Sequence, residues 1–169
     1  TEPDHQAKIR QGVTTEAIGM DGLSYAPISP PKLEQLLTFL AAINGAPPPD
    51  TRWSSVKEFL DLLDGRAACN VAFMVPHAAI RIEAMGWEDR APTPPELDRM
   101  KELARQGMRD GAFGFATGLT YPPGAYSETD ELVVISEAIA DLGGFYMTHA
   151  RYTKGDQLLD PFREAIEIG

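Results

Sequence analysis

Residues able to bind a metal or move a proton gather at a few points of the chain, and each point follows a short apolar run. The run "GFYM" at 144–147 passes directly into Thr148, His149, Ala150 and Arg151. "NVAFMV" at 70–75 ends in Pro76 and His77, with Arg81 close behind. "GVTTEAI" at 12–18 ends in Gly19-Met20-Asp21-Gly22, and "AFGFA" at 112–116 ends in Thr117-Gly118 with Tyr121 further on. Two of the three histidines fall at such ends, and only His5 does not. A carboxylate and imidazoles brought to one place suit Zn²⁺ or a similar borderline cation, with ligand oxygens at about 2.0–2.2 Å and nitrogens at about 2.0–2.1 Å. Such an ion lowers the pKa of a bound water toward about 7 and polarises a carbonyl. Each residue also has a plainer reading. Asp21-Gly22 is a favoured turn dipeptide, His77 and His149 can simply close strands through hydrogen bonds, and Arg151 and Tyr121 can serve as rim ion pair and loop packing. No His-x-His or HExxH pair supports the metal reading locally. The glycines of "GAFGFATGL" lack the Lys-Ser/Thr of a phosphate loop and are better explained by close packing.

The elements that would position these residues are strands and helices in alternation. The four apolar runs are short, and none alternates cleanly between polar and apolar, which suits strands buried on both faces of a parallel sheet. Helical segments lie between them. Pro30-Pro31 precedes a stripe of Leu33, Leu36, Leu37 and Leu40; "SSVKEFLDLLDG" at 54–65 has a Ser cap and a Gly stop; Thr93-Pro94-Pro95-Glu96 reads as a capping box opening a helix to about Asp110. A fourth helix begins near 127–130 and ends at Gly143-Gly144, and "LLDPFREAIEIG" forms a last one. The order is strand, two helices, strand, helix, strand, helix, strand, helix, which predicts right-handed βαβ units. In such folds ligands bind at the carboxyl ends of the strands, where the inventory above lies. The proline-rich "NGAPPPDTRW" at 44–53, read as a loop or rigid spacer, and the loop "TYPPGAYSET" at 120–129 interrupt the regularity.

The bulk numbers narrow the partners. With 169 residues, 43% hydrophobic and 24% charged, the chain can bury a core of its own. A net charge of −10 and a pI near 4.7 exclude a nucleic-acid surface, which needs clustered Lys and Arg. No polybasic patch or run of about 18 apolar residues points to a membrane. Cys69, the single cysteine, excludes a disulfide framework and reads as a small core residue. The polar N-terminal stretch has no signal-peptide core, which makes a cytoplasmic location the expectation. It also lacks an initiator Met, as a piece of a longer protein would.

Taken together, "KIRQGVTTEAIGMDGLSYAP", "NVAFMVPHAAIR" and the stretch from "PPELDRM" to "YMTHAR" resemble the N-acyl-D-amino-acid deacylase (D-aminoacylase) family of the amidohydrolase superfamily. The likeness runs from about Lys8 to Arg151, and it is carried by "GVTT", "GAxGxxTGLxYPPGxY" and "YxTHxR" in that order. It implies a metal-dependent (β/α)₈ barrel of the TIM type that hydrolyses the amide of an N-acyl-D-amino acid. The histidine of "THxR", here His149, would be a metal ligand at a strand end. Asp21 stands where better-known members carry the ligating cysteine of "GNCG", so a carboxylate would replace a thiolate and shift the site toward harder ions. Arg151, Tyr121 and His77 would line the substrate site.

The resemblance further implies a His-x-His pair before Thr1, another His on the strand after His149, and a proton-shuttling Asp on the last strand. A full barrel takes about 250 residues. The chain is therefore expected to be one fragment, residues 1–169, covering strands two to five of the barrel and the helix that follows. The expected cofactor is one or two Zn²⁺ ions, or another divalent metal. Two alternatives stand beside this reading. A cyclic-amide amidohydrolase of the hydantoinase or dihydroorotase kind would rely on a strand lysine, which "GAFGFATGL" lacks. An inactive half-barrel would self-associate through its open strand edges.

Overall fold

The four apolar runs form four strands, and the sheet takes them in chain order. The computed structural model describes residues 4–45, 52–152 and 155–169; the proline-rich spacer at 46–49 lies outside them. A short helix α1 (Gln6–Ile9) leads into β1 (Thr15–Ile18), and α2 (Pro30–Asn44) and α3 (Val56–Asp61) precede β2 (Asn70–Pro76). Next come α4 (His77–Met85), α5 (Pro94–Arg109), β3 (Gly114–Gly118), α6 (Thr129–Ala140), β4 (Phe145–His149) and α7 (Asp160–Ile168). Every pairing is parallel, with Thr15 opposite Asn70, Met74 opposite Gly114, and Gly118 opposite His149. Parallel neighbours in chain order, joined by helical crossovers, are how a (β/α)₈ barrel is wound; a doubly wound sheet reverses its order at a switch point. The molecule is a half-barrel.

Burial follows from position in this sheet. β3 is buried along its whole length, as is the second half of β2, because helices cover one face and the curled sheet closes the other. β1 and β4 stand at the edges: β1 buries only Glu16, and β4 is half-buried through its centre and exposed at both ends. Phe73, Val75 and Phe115 meet Leu33, Leu36 and Leu40 of α2, Ile80 of α4, Met100 of α5, and Leu132 and Ile135 of α6. Each such side chain contributes about 1.5–3 kcal/mol by leaving water. Cys69 is buried, though beside His5 and outside the main core, and Trp53 packs inside with its indole N–H donating to the Tyr25 carbonyl.

The helix starts obey their punctuation. The Glu58 amide donates to the Ser55 hydroxyl at 3.1 Å, while the Glu58 carboxylate accepts from the Ser55 amide at 3.3 Å. At α5 the Glu96 carboxylate accepts from both the amide and the hydroxyl of Thr93 at 2.7 and 2.8 Å.

Two features depart from expectation. The strands run further toward their carboxyl ends than the apolar runs do, so Thr117-Gly118 and Thr148-His149 are themselves strand residues. The ladder continues because Thr117 and Thr148 are register partners and their hydroxyls join at 2.7 Å. Between β2 and β3, where a single helix from about Thr93 was expected, a further helix, α4, comes first. His77 is its first residue, and Arg81 lies one turn inside it.

Candidate metal centre

Asp21 follows β1 and His149 ends β4, at opposite edges of the sheet, yet their side chains touch. His149 Nδ1 lies 2.8 Å from Asp21 Oδ1. The turn after β1 explains this by crossing over the tips of β2 and β3. Gly22 closes the turn with its amide on the Gly19 carbonyl at 3.1 Å, and the Ala78 amide, at the start of α4, donates to the Gly22 carbonyl at 3.1 Å. A Cβ at Gly19 would sit 2.5 Å from the Met74 carbonyl oxygen of β2, and one at Gly22 would sit 2.6 Å from the Gly118 amide of β3. Gly118 in turn lies so close under Asp21 that a Cβ there would strike the Asp21 carbonyl. Gly19 and Gly22 also hold φ of +80° and +63°, where a side chain is strained. Without these glycines the turn could not lie flat across the strand tips and hand Asp21 to β4.

Three of the residues selected from sequence therefore converge. Tyr121 joins the pair edge-on, its ring centre 5.3 Å from that of His149. The Leu119 amide, donating to the His149 carbonyl at 3.0 Å, carries the loop of Tyr121 onto β4. Both members of the pair are about half exposed, at 46% and 48%, so water and substrate can reach them. A carboxylate oxygen and an imidazole nitrogen are a donor set for Zn²⁺ or a somewhat harder ion. They supply two of the about four ligands such an ion takes, so a cation held here needs further donors.

The other two residues stand in the frame behind the mouth. His77 is fully buried, and its Nε2 meets Glu131 Oε1 at 2.8 Å. Arg81 reaches the same carboxylate with Nη1 at 2.6 Å and donates from Nη2 to the Arg90 carbonyl at 2.6 Å. Burial pushes the Glu131 carboxyl up, but the His77 and Arg81 partners outweigh it and hold the group below the ordinary carboxylate value. Glu131 thus accepts as an anion, and His77 donates from Nε2. Arg151 spans Glu164 of α7 at 3.0 Å and the carbonyls of Ala125 and Ser127 at 3.2 and 2.7 Å. It fastens the loop that carries Tyr121.

Glu131 went unrecognised in the sequence because its partners lie 54 and 50 residues earlier. The available signal was the i, i+4 spacing of His77 and Arg81, which shows only once α4 is known to be a helix.

No family model matches the chain. A D-aminoacylase of Alcaligenes xylosoxydans xylosoxydans is 35% identical over 170 residues, covering 98% of this chain and 33% of that protein. A structure of D-aminoacylase, studied for the role of its binuclear metal centre, superposes with a TM-score of 0.82 at 31% identity, over 99% of this chain and 34% of that one. The chain is similar throughout to one third of a D-aminoacylase. N-acyl-D-glutamate deacylase from Bordetella bronchiseptica, in complex with zinc and a phosphonate mimic of the tetrahedral intermediate, agrees with a TM-score of 0.80 at 30% identity and the same coverage. The likeness reaches nearly every residue of this half-barrel, and the chain spans about a third of the length of the relatives it matches.

Proposed function

We propose that the protein containing this half-barrel is a metal-dependent hydrolase that cleaves N-acyl-D-amino acids to a D-amino acid and a carboxylate. The observation that carries this is the contact between Asp21 and His149 at the carboxyl ends of β1 and β4, where barrel enzymes keep their chemistry. Asp21 and His149 would hold a Zn²⁺ ion, with one or two ions in the complete site. The bound ion supplies an activated water and polarisation of the acyl carbonyl.

This chain's own residues do the positioning. The Asp21 carboxylate stands 2.8 Å from His149 Nδ1 and would add negative charge that favours a cation there. Tyr121, fixed edge-on to that ring, forms one wall of the space above it. Arg151 holds the Tyr121 loop by its carbonyls and so acts on the site from behind. The remaining ligands and the acid that protonates the departing amine come from outside this chain, which corresponds to strands two to five of the barrel. Self-association of the isolated half-barrel through β1 and β4 belongs to the same reading.

The test uses the full-length protein and a panel of N-acyl-D-amino acids, their L enantiomers and cyclic amides such as hydantoins. Hydrolysis confined to the N-acyl-D compounds, lost on chelation and restored by Zn²⁺, is the expected result. Turnover of the cyclic amides alone, or activity indifferent to a chelator, would overturn the reading.

A further inference from the structure

At the other end of the sheet, where the strands begin, three side chains with metal-binding atoms meet. Glu16 lies on β1, Cys69 immediately precedes β2, and His5 stands just before α1. His5 Nδ1 is 3.0 Å from Glu16 Oε2 and 3.3 Å from Cys69 Sγ. One oxygen, one nitrogen and one sulfur atom from the three residues lie within 4.8 Å of one another. Glu16 and Cys69 are each only 8% exposed, and His5 is half-buried. Ligand atoms sharing one tetrahedral Zn²⁺, at about 2.0–2.3 Å from it, stand about 3.3–3.7 Å apart. The cluster is within a small adjustment of that spacing.

The contacts are also awkward without a cation. A single ring nitrogen faces both a carboxylate oxygen and a sulfur, and one N–H cannot serve both well. The Lys8 ammonium pairs with the other Glu16 oxygen from a largely exposed position. Lys8 brings positive charge to a buried carboxylate, as an ion would, but from a flexible stem that can swing away.

We infer that His5, Glu16 and Cys69 form a structural site for a thiophilic divalent cation, Zn²⁺ or Co²⁺, that clamps the segment before β1 onto the starts of β1 and β2. On binding, the Cys69 thiol gives its proton to solvent and the sulfur takes up the metal, while the Lys8 ammonium leaves Glu16. The thiolate and the carboxylate then neutralise the dication, His5 ligates as the neutral imidazole, and a water completes the tetrahedron. The site lies at the end of the strands remote from Asp21 and His149, and it does not depend on the hydrolase reading. Barrels keep chemistry at the carboxyl ends of their strands and stability at the amino ends, so the role is to fasten the fold.

Titration of the full-length protein with Co²⁺ tests this, because thiolate ligation gives an intense sulfur-to-cobalt absorption in the near ultraviolet that Asp and His ligands do not. The band should saturate in the wild type, persist in His149→Ala, and vanish in Cys69→Ser. Lys8→Met, which removes the competing ammonium from an exposed position, should make the band appear at lower Co²⁺. A wild type without the band would overturn the proposal, as would a band that survives in a folded Cys69→Ser protein. Should Cys69→Ser fail to fold, Lys8→Met decides: a midpoint at lower Co²⁺ supports the site, and an unchanged midpoint refutes it.

Discussion

At the scale of single residues, the site depends on backbone atoms too close together to admit a side chain. Gly118 lies directly beneath Asp21, and Gly22 lies against Thr117 and Gly118. A methyl at either position must push the turn off β3 and lift Asp21 away from His149. Gly22→Ala adds the strain of a left-handed backbone, about 1–2 kcal/mol, to the clash. We expect Gly118→Ala and Gly22→Ala to bind metal less tightly and hydrolyse more slowly, with a loss of about 1–3 kcal/mol in a denaturant melt. Gly143→Ala is the control, since a Cβ there meets nothing within 4 Å and only its φ of +74° is disturbed; it should melt earlier yet keep its metal. What the sequence showed here was the type of residue at each strand end. It did not show that the turn after β1 crosses two strands, because that depends on close backbone approaches between residues about 50 to 100 positions apart, which leave no local pattern. The cluster of His5 with Cys69 was hidden in the same way, its members lying 64 positions apart.

Among the elements, α4 and α6 are joined by the buried carboxylate of Glu131, which balances Arg81 and assists His77. Glu131→Gln removes the charge and leaves a buried guanidinium unbalanced, a loss of about 3–5 kcal/mol. The pH dependence has a definite sign. The Glu131 carboxyl titrates below its ordinary value of 4.5, so its contribution is complete above that pH and disappears as pH falls through the lower folded-state value. The stability gap between wild type and Glu131→Gln, measured by urea melts, should be widest near neutrality and close as the pH drops below about 4.5. A gap that stays constant into acid would mean that the charge of Glu131 does not matter. α4 also shows why one element was illegible. Its residues His77, Ala78, Ala79, Ile80, Arg81 and Ile82 are all buried, so no polar stripe marks it, and Pro76 gives it no side-chain cap. α3 and α5 were legible because their caps are local and polar.

For the molecule as a whole, a half-barrel leaves β1 and β4 as open edges and exposes apolar side chains that a closed barrel would cover. Phe145 on β4 is 48% exposed, and on α7 Phe162 and Ile166 reach 58% and 80%. Expressed by itself, the 169-residue chain should therefore gain mass with concentration in sedimentation equilibrium. Replacing Phe162 and Ile166 with Lys should weaken that association; a wild-type chain that stays monomeric at all concentrations would contradict it. The parallel order of strands was readable in the alternation of runs and helices, since each crossover is written in local sequence. Closure of a barrel was not, because four strands in an open order do not close one. Among the described residues no helix is long and apolar enough to cross a membrane.

The central claim is that Asp21 and His149 hold one cation between the tips of β1 and β4. It is tested most directly by counting metal in full-length wild type and His149→Ala prepared side by side, and assaying both on an N-acyl-D-amino acid. Bound zinc and hydrolysis should fall together, the rate by at least about 10-fold, since losing a ligand costs no less than losing its outer partner. A His149→Ala protein that keeps both its metal and its rate would show that the cation is held elsewhere.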